Sequence, residues 1–352
     1  MPSKPDYSVW YASVQPTYER LAATIRSILD QLLSARSIDF LAVTSRTKSF
    51  RSFADKLKRK SYKDPATEVT DLAGIRVVTY LESDVQRVAA LSREIFRVDE
   101  SHTVDKAAEL AVDRLGYRSV HLICSLGRKR DVLPEYSEFK GLRFEIQIRS
   151  VLQHAWAQIE HDRSYKFGGV LPDELKRRLN LAAGSLESVD REFDKIAAEI
   201  DEYAAKIGKQ AAGGDLDIPI NSPSMWTFLK LRGAKLRKTK FAPSKEIHGH
   251  ADLIKELRAF GVRTLAALDQ LLNPDFLAAR DNFPDDTGTT EFGLLRDAMM
   301  YKDIDRYFER AHKGKAWGRL DEPTYNMLAD RFGGAKVDQI MSQYDVDLED
   351  QD

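Results

Sequence analysis

The sequence predicts an α+β fold: a mixed β-sheet flanked by helices, followed by a mostly α-helical second part. Three observations carry this. Strand-like and helix-like segments alternate over residues 1–210. The stretch Ala211-Ala212-Gly213-Gly214-Asp215, with Pro219 and Pro223 beyond it, then breaks the pattern. After that break only short helical periods recur.

The first helix is expected over about 7–35, where Val14, Tyr18, Leu21, Ile25, Ile28 and Leu32 step by three and four. Ile38 to Thr44 is β-rich. Ser49 to Lys60 reads as a helix with Phe50, Phe53 and Leu57 inward. Gly74 to Leu81 reads as a strand and Ser83 to Phe96 as a helix. Ser119 to Leu126 and Leu142 to Arg149 are two more strands, followed by helices over Val151 to Lys166 and Pro172 to about Lys209. Further on, helices are expected near 251–260, 264–272, 291–312, 323–332 and 335–344. Gly261 suits the stop of one and Thr264 the cap of the next. The division expected is a domain over 1–210, a linker over 211–222, a helical domain over 223–345 and a frayed acidic tail over 346–352.

Composition narrows the function. The 352 residues carry a net charge of −1, so any binding of polyphosphate or nucleic acid must come from local patches. A single cysteine, Cys124, excludes an internal disulfide framework and a Cys-rich zinc site; its apolar neighbours mark it as core. The N-terminus lacks a signal core, and no apolar run approaches the ~20 residues of a membrane span. A cytoplasmic protein is expected.

Three strands place polar side chains opposite apolar ones. In Phe144-Glu145-Ile146-Gln147-Ile148-Arg149, side chains alternate faces, so Glu145, Gln147 and Arg149 oppose the three apolar residues. Tyr117, Ser119 and His121 oppose Val120 and Leu122, and Arg76 opposes Ile75 and Val77. Asp71 lies in the turn just before. Each pattern alone fits a half-exposed strand; their recurrence on neighbouring segments points to a shared site. A basic stretch precedes them. Arg46 and Lys48 alternate, Ser52 and Lys56 stand one helical turn apart, and a helix N-terminus near Ser49 adds free amides. Cations beside a helix N-terminus suit a polyphosphate. Asp71 and Glu145 suit Mg²⁺, which prefers oxygen ligands, and Glu145 suits a proton acceptor for a hydroxyl nucleophile. Phosphoryl-type transfer needs such positioning and charge neutralisation.

The segment from about 40 to 166 resembles the synthetase domain of the RelA/SpoT family of (p)ppGpp synthetases, in particular its small single-domain members. The resemblance rests on five stretches in the family's order: Arg46-x-Lys48-x-x-x-Ser52-x-x-x-Lys56; Asp71-Leu72-Ala73-Gly74-Ile75-Arg76; Gly116-Tyr117-Arg118-Ser119-Val120-His121; Phe144 to Arg149; and His154 to His161 with Tyr165-Lys166. It implies a nucleotidyltransferase-like sheet and a transfer of pyrophosphate from ATP to the 3′-hydroxyl of GTP or GDP, with AMP released. It further implies that Asp71 and Glu145 bind Mg²⁺, that Arg46 and Arg76 sandwich the adenine, and that Lys48, Ser52 and Lys56 hold the ATP phosphates. Tyr117 would stack on the acceptor base, with His121 and Gln147 completing the acceptor contacts. His161-Asp162 lies inside the expected helix and does not mark a hydrolase domain.

The helical second part also resembles that of fused toxin–antitoxin synthetases, which modify the 3′ end of tRNA until a phage component is sensed. That resemblance implies tRNA as the alternative acceptor and a phage or other protein as the trigger. The Tyr-x-x-Tyr plug expected of that group is not found in the sequence; Tyr301 and Tyr307, or Tyr325, are the tyrosines that could take its part. The basic stretch Leu231 to Phe241 reads as a solvated surface before an RNA contact, and His248-Gly249-His250 as a loop before a metal corner. Assembly into oligomers, as in some relatives of this size, is compatible with the reading.

Overall fold

The computed structural model describes residues 7–60, 62–105, 119–166, 171–233, 236, 249–284, 288–312 and 317–349. The chain divides into two compact units, Met1–Ala197 and Ala198–Asp352. The division falls within one long helix, Asp173–Ala212, upstream of the glycine-rich break.

The first unit is built on a mixed sheet. Helix α1 (Ser8–Ala35) leads into β1 (Phe40–Thr47), α2 (Phe50–Arg59), a single helical turn α3 (Pro65–Glu68), β2 (Ala73–Thr79) and α4 (Glu82–Ile95). Two short strands follow, β3 (Arg97–Val98) and β4 (Val104–Asp105), then β5 (Val120–Ser125), β6 (Phe144–Ser150), α5 (Val151–Lys166) and α6 (Asp173–Ala212). The strand order is β1-β2-β6-β5-β3, with β4 pairing to β5. Among the described residues of this sheet β2 and β6 run parallel, and the other pairs, β1–β2, β5–β6, β3–β5 and β4–β5, are antiparallel. The α+β expectation therefore holds, and the strand ends differ from it by a few residues.

The alternation in the sequence sets the two faces. Ile75, Val77, Leu122, Ile146 and Ile148 are buried with Cys124 in one core. Tyr18, Leu21, Ile25, Leu29 and Leu33 of α1 are buried in the same core, one ridge of a helix. Phe53 of α2 is fully buried there too, whereas Phe50, expected inward, stands 41% exposed. It lies at the first helical turn, beside Tyr11.

The second unit is a helical assembly with its own core. Its helices are α7 (Ser222–Arg232), α8 (His250–Phe260), α9 (Leu265–Leu271), α10 (Pro274–Asn282), α11 (Glu291–Lys302), α12 (Glu322–Phe332) and α13 (Gly334–Gln343). Ile218 and Ile220, in the stretch read as a linker, are buried in this core. The helix expected over 291–312 breaks at Asp303. Its side chain accepts from the Arg306 amide and restarts the chain, which passes into a π-helical turn, Tyr307–His312. In the expected tail, Asp347–Leu348 pairs as β8 with Arg319–Leu320 (β7). His250 is buried against Glu291 at 2.7 Å, so it serves the core and not a metal corner. Tyr307 is likewise fully buried, donating to Glu256 and accepting from Trp317.

Candidate active site

Register brings the expected residues onto one sheet face. Across the strands, Arg46 pairs with Gly74 and Gly74 with Glu145. One rung further, Thr44 pairs with Arg76, Arg76 with Gln147, and Gln147 with His121. Because side chains alternate along each strand, these residues share the face opposite Ile75, Ile146 and Leu122.

Two clusters form on that face. In the first, Lys48 Nζ and Lys56 Nζ each stand 2.9 Å from Asp71 Oδ2. Lys48 follows the end of β1, and its amide donates to the Leu72 carbonyl at 2.8 Å, which fixes it beside the turn carrying Asp71. Tyr11 donates from the other side to the Lys48 carbonyl. Lys56 comes from α2, whose first turn is capped by Ser49: its Oγ accepts from the Ser52 amide at 3.3 Å. Asp71 Oδ1 is buried with no hydrogen-bond partner.

In the second cluster, His121 Nδ1 stands 2.8 Å from Glu145 Oε1, and Gln147 Nε2 donates to Glu145 Oε2 at 2.8 Å. Arg149 donates in turn to Gln147 Oε1 at 3.3 Å. Burial works to raise the Glu145 carboxyl, but the His121 bond and charge, the Gln147 bond and the nearby Lys56 charge outweigh it and hold the group at about 2. Glu145 is thus ionised throughout the neutral range, and His121 donates to it through Nδ1. The opposite ring nitrogen, Nε2, is buried without a partner. Lys56 links the two clusters: it bonds Asp71 and its charge lowers Glu145.

Beside these groups lies a cavity of about 320 Å³, lined among others by Thr44, Arg46, Gly74, Arg76, Gln147 and Gln158. Its volume suits a small-molecule site. Gly74 clears its floor: a Cβ there would meet the Arg46 side chain at 3.6 Å. Guanidinium planes of this kind can stack on a nucleobase.

The structure therefore brings together Arg46, Lys48, Ser52, Lys56, Asp71, Arg76, His121, Glu145 and Gln147 on neighbouring elements. Tyr117 lies outside the described residues. Sequence reasoning missed Gln158 as a lining residue and Gly74 as a source of space. The alternation of β2 carried a signal for Gly74; none singled out Gln158 among the polar residues of α5. His154 of α5 is held below the usual imidazole range by burial and then by the Arg76 and Arg149 charges, and its Nδ1 has no partner.

A sheet face of this kind, with two carboxylates, several cations and a base-sized cavity, defines a transferase acting on phosphorylated substrates. Residues 45–170 match the model of the region found in RelA/SpoT proteins. The chain is 32% identical over 177 residues to the GTP pyrophosphokinase YjbM of Bacillus subtilis, covering 49% of this chain and 79% of that protein. It is 30% identical over 166 residues to the GTP pyrophosphokinase YwaC of the same organism, covering 45% and 73%. The small alarmone synthetase 1 crystal structure from B. subtilis is similar with a TM-score of 0.46 at 29% identity, over 55% of this chain and 98% of that one. The chain belongs to the RelA/SpoT family of pyrophosphotransferases.

Proposed function

We propose that the protein moves the β,γ-pyrophosphate of ATP to the 3′-hydroxyl of GTP or GDP, making (p)ppGpp and releasing AMP. The observation that carries this is the pair of clusters linked by Lys56: Asp71 under two lysines, and an ionised Glu145 on the adjoining parallel strand. The relatives named GTP pyrophosphokinases support the donor and the acceptor class. So does the small alarmone synthetase 1 of B. subtilis, whose structures include one bound to its product pppGpp and one bound to AMPCPP.

In this reading the acceptor oxygen forms a bond to the β-phosphorus while the bond from that phosphorus to the α,β-bridging oxygen breaks. AMP leaves with that oxygen, and the hydroxyl proton passes to Glu145. Arg46 and Arg76 hold the adenine in the cavity over Gly74. Lys48, Ser52 and Lys56 take the ATP phosphates, and Lys48 and Lys56 trade Asp71 for them. His121 and Gln147 orient Glu145 and meet the acceptor, and Tyr117 stacks on its base.

The donor set fits Mg²⁺: two carboxylates, one with a buried orphan oxygen, supply hard oxygen ligands. Asp71 and Glu145 would hold the ion, which neutralises phosphate charge when bound. Among the described residues no group of three or more His, Cys, Asp or Glu is placed to hold a metal, so waters and phosphate oxygens complete the shell in this reading.

A second reading has one observation behind it. The match to YjbM spans 49% of this chain, while the chain carries a second compact unit with its own core. That unit suits a regulatory domain over about 223–345 that restrains the enzyme until a phage or other protein is sensed, with the tRNA 3′ end as acceptor. One experiment separates the two. Purified protein is given γ-labelled ATP with GDP, GTP and total tRNA together. Label in guanosine polyphosphates supports the first reading and label on tRNA the second; no AMP release from the folded full chain refutes the first, and none from a folded chain lacking 223–345 refutes both.

A further inference from the structure

Helix α5 turns one side toward the cavity of the candidate active site. His154 and Gln158 stand four apart, so they share a side of the helix. His154 lies close enough to Arg76 and Arg149 to feel both charges, and Gln158 lines the cavity with Arg46, Gly74 and Arg76. The helix is not free to roll. At its start the Ser150 amide donates to Gln153 Oε1 at 3.0 Å and the Gln153 amide to Ser150 Oγ at 3.1 Å. Further along, Trp156 Nε1 donates to the Leu179 carbonyl of α6 at 3.1 Å. A fixed element therefore carries Gln158 to the cavity.

The rest of the lining leaves one chemical need unmet. Arg46 and Arg76 offer donors and flat faces but no acceptor. Gln147 is the other amide, and both its ends are engaged: Nε2 donates to Glu145 and Oε1 accepts from Arg149. Ser45 and Ile75 pair across β1 and β2 and alternate to the opposite face, which leaves the single hydroxyl of Thr44. Among the described residues no hydrogen bond engages the Gln158 amide. Of the described lining side chains it is the one that sets a free donor and a free acceptor side by side in one plane. An adenine edge presents the complement, an amine N–H beside a ring-nitrogen acceptor, and glutamine pairs with it through two bonds.

We propose that Gln158 reads the base edge of the donor nucleotide: its Oε1 accepts from the adenine 6-amino group while its Nε2 donates to the adjoining ring nitrogen. The inference rests on the reading of this cavity as the adenine site. It adds what two guanidinium faces lack, a group that tells adenine from another purine, because a stacking face accepts any base. Preference for ATP among triphosphates then comes from α5 and not from the sheet.

Isothermal titration of the full chain in Mg²⁺ buffer, without acceptor, tests this with ATP and with purine riboside triphosphate, which lacks only the 6-amino group. The wild type should bind ATP about ten- to thirtyfold more tightly than the analogue. Gln158→Ala should bring the two within about threefold, chiefly by weakening ATP. Gln158→Glu keeps the acceptor and loses the donor, so both nucleotides should weaken while the ratio between them survives. Loss of fold would weaken both alike and leave no such pattern. A ratio lost in Gln158→Glu as well overturns the acceptor role. Equal wild-type affinities, or a ratio that Gln158→Ala leaves unmoved, overturn the proposal even where AMP release goes on. No ATP binding by the folded full chain overturns it together with the first reading of function.

Discussion

The two units treat their buried carboxylates differently. In the helical unit, Arg280 bonds Asp297 and donates to Thr324, which donates to Asp297 in turn. Arg296 grips Glu256 through two nitrogens at 2.9 and 2.7 Å, and His250 stands on Glu291. These groups neutralise one another inside the core. On the sheet face, Asp71 keeps one oxygen without a partner and His121 keeps one nitrogen. Leaving a buried polar atom unpaired costs stability. The difference teaches where to look for chemistry: carboxylates closed on cations hold a fold, and one with an open oxygen beside two lysines can take a ligand.

The largest effect that would break this comparison lies in the sheet unit. Glu145→Gln should lower AMP release by about 10²–10⁴-fold, the usual worth of a positioned proton acceptor, while the thermal melt stays near wild type. A variant as active as wild type would place Glu145 with the structural pairs. Next comes its counterpart in the helical unit. Asp297→Ala leaves Arg280 buried and uncompensated, which should cost about 3–5 kcal/mol in urea unfolding. A loss below about 1 kcal/mol would show that the network is not a support.

Asp190 sharpens the comparison from within the first unit, because it is buried like the closed pairs yet keeps an unpartnered oxygen. Burial, then the Glu82 and Asp194 charges, push its carboxyl up to about 6, against the lowering effect of the Ser150 hydroxyl that donates to it. A carboxyl raised on folding binds its proton more tightly in the folded state. Stability should therefore fall as pH rises from about 4 through about 6. Asp190→Asn should remove that slope and gain on the order of 2 kcal/mol at pH 8, read from urea curves at pH 5 and 8; identical slopes would exclude Asp190 as their source. The smallest effect is expected of Gly74→Ala. Its added methyl meets Arg46 at an ordinary 3.6 Å, so the fold should be unchanged and the KM for ATP should rise about tenfold or less. An unaffected KM would remove the cavity from the donor site.

Much of the first unit was legible because strand alternation is a strong signal. Glu145, Gln147 and Arg149 could be separated from Phe144, Ile146 and Ile148 by parity alone, and Ser52 and Lys56 were placed on one face of α2 by spacing alone. Pairing partners were not legible. Nothing local announces that Asp71 meets both Lys48 and Lys56, or that His121 sits on Glu145, because those contacts depend on strand order. The second unit was harder for a related reason. Helices α7 and α10 went unread: each bears apolar residues on more than one side, so the period weakens. No local pattern singles out Arg280 and Asp297, which tertiary packing buries together.

The in-register pairing of β2 with β6 has a consequence for how the gene can change. Candidate catalytic and core side chains interleave on the same two ribbons, so an inserted or deleted codon within 144–149 would turn the residues on one side of it to the opposite sheet face, polar inward and apolar outward, in one stroke. Loss of activity and loss of solubility would then arrive together. Lineages that keep the folded domain but shed the enzyme must do so by point substitution, and frameshift-free indels in this family should be confined to the loops between strands.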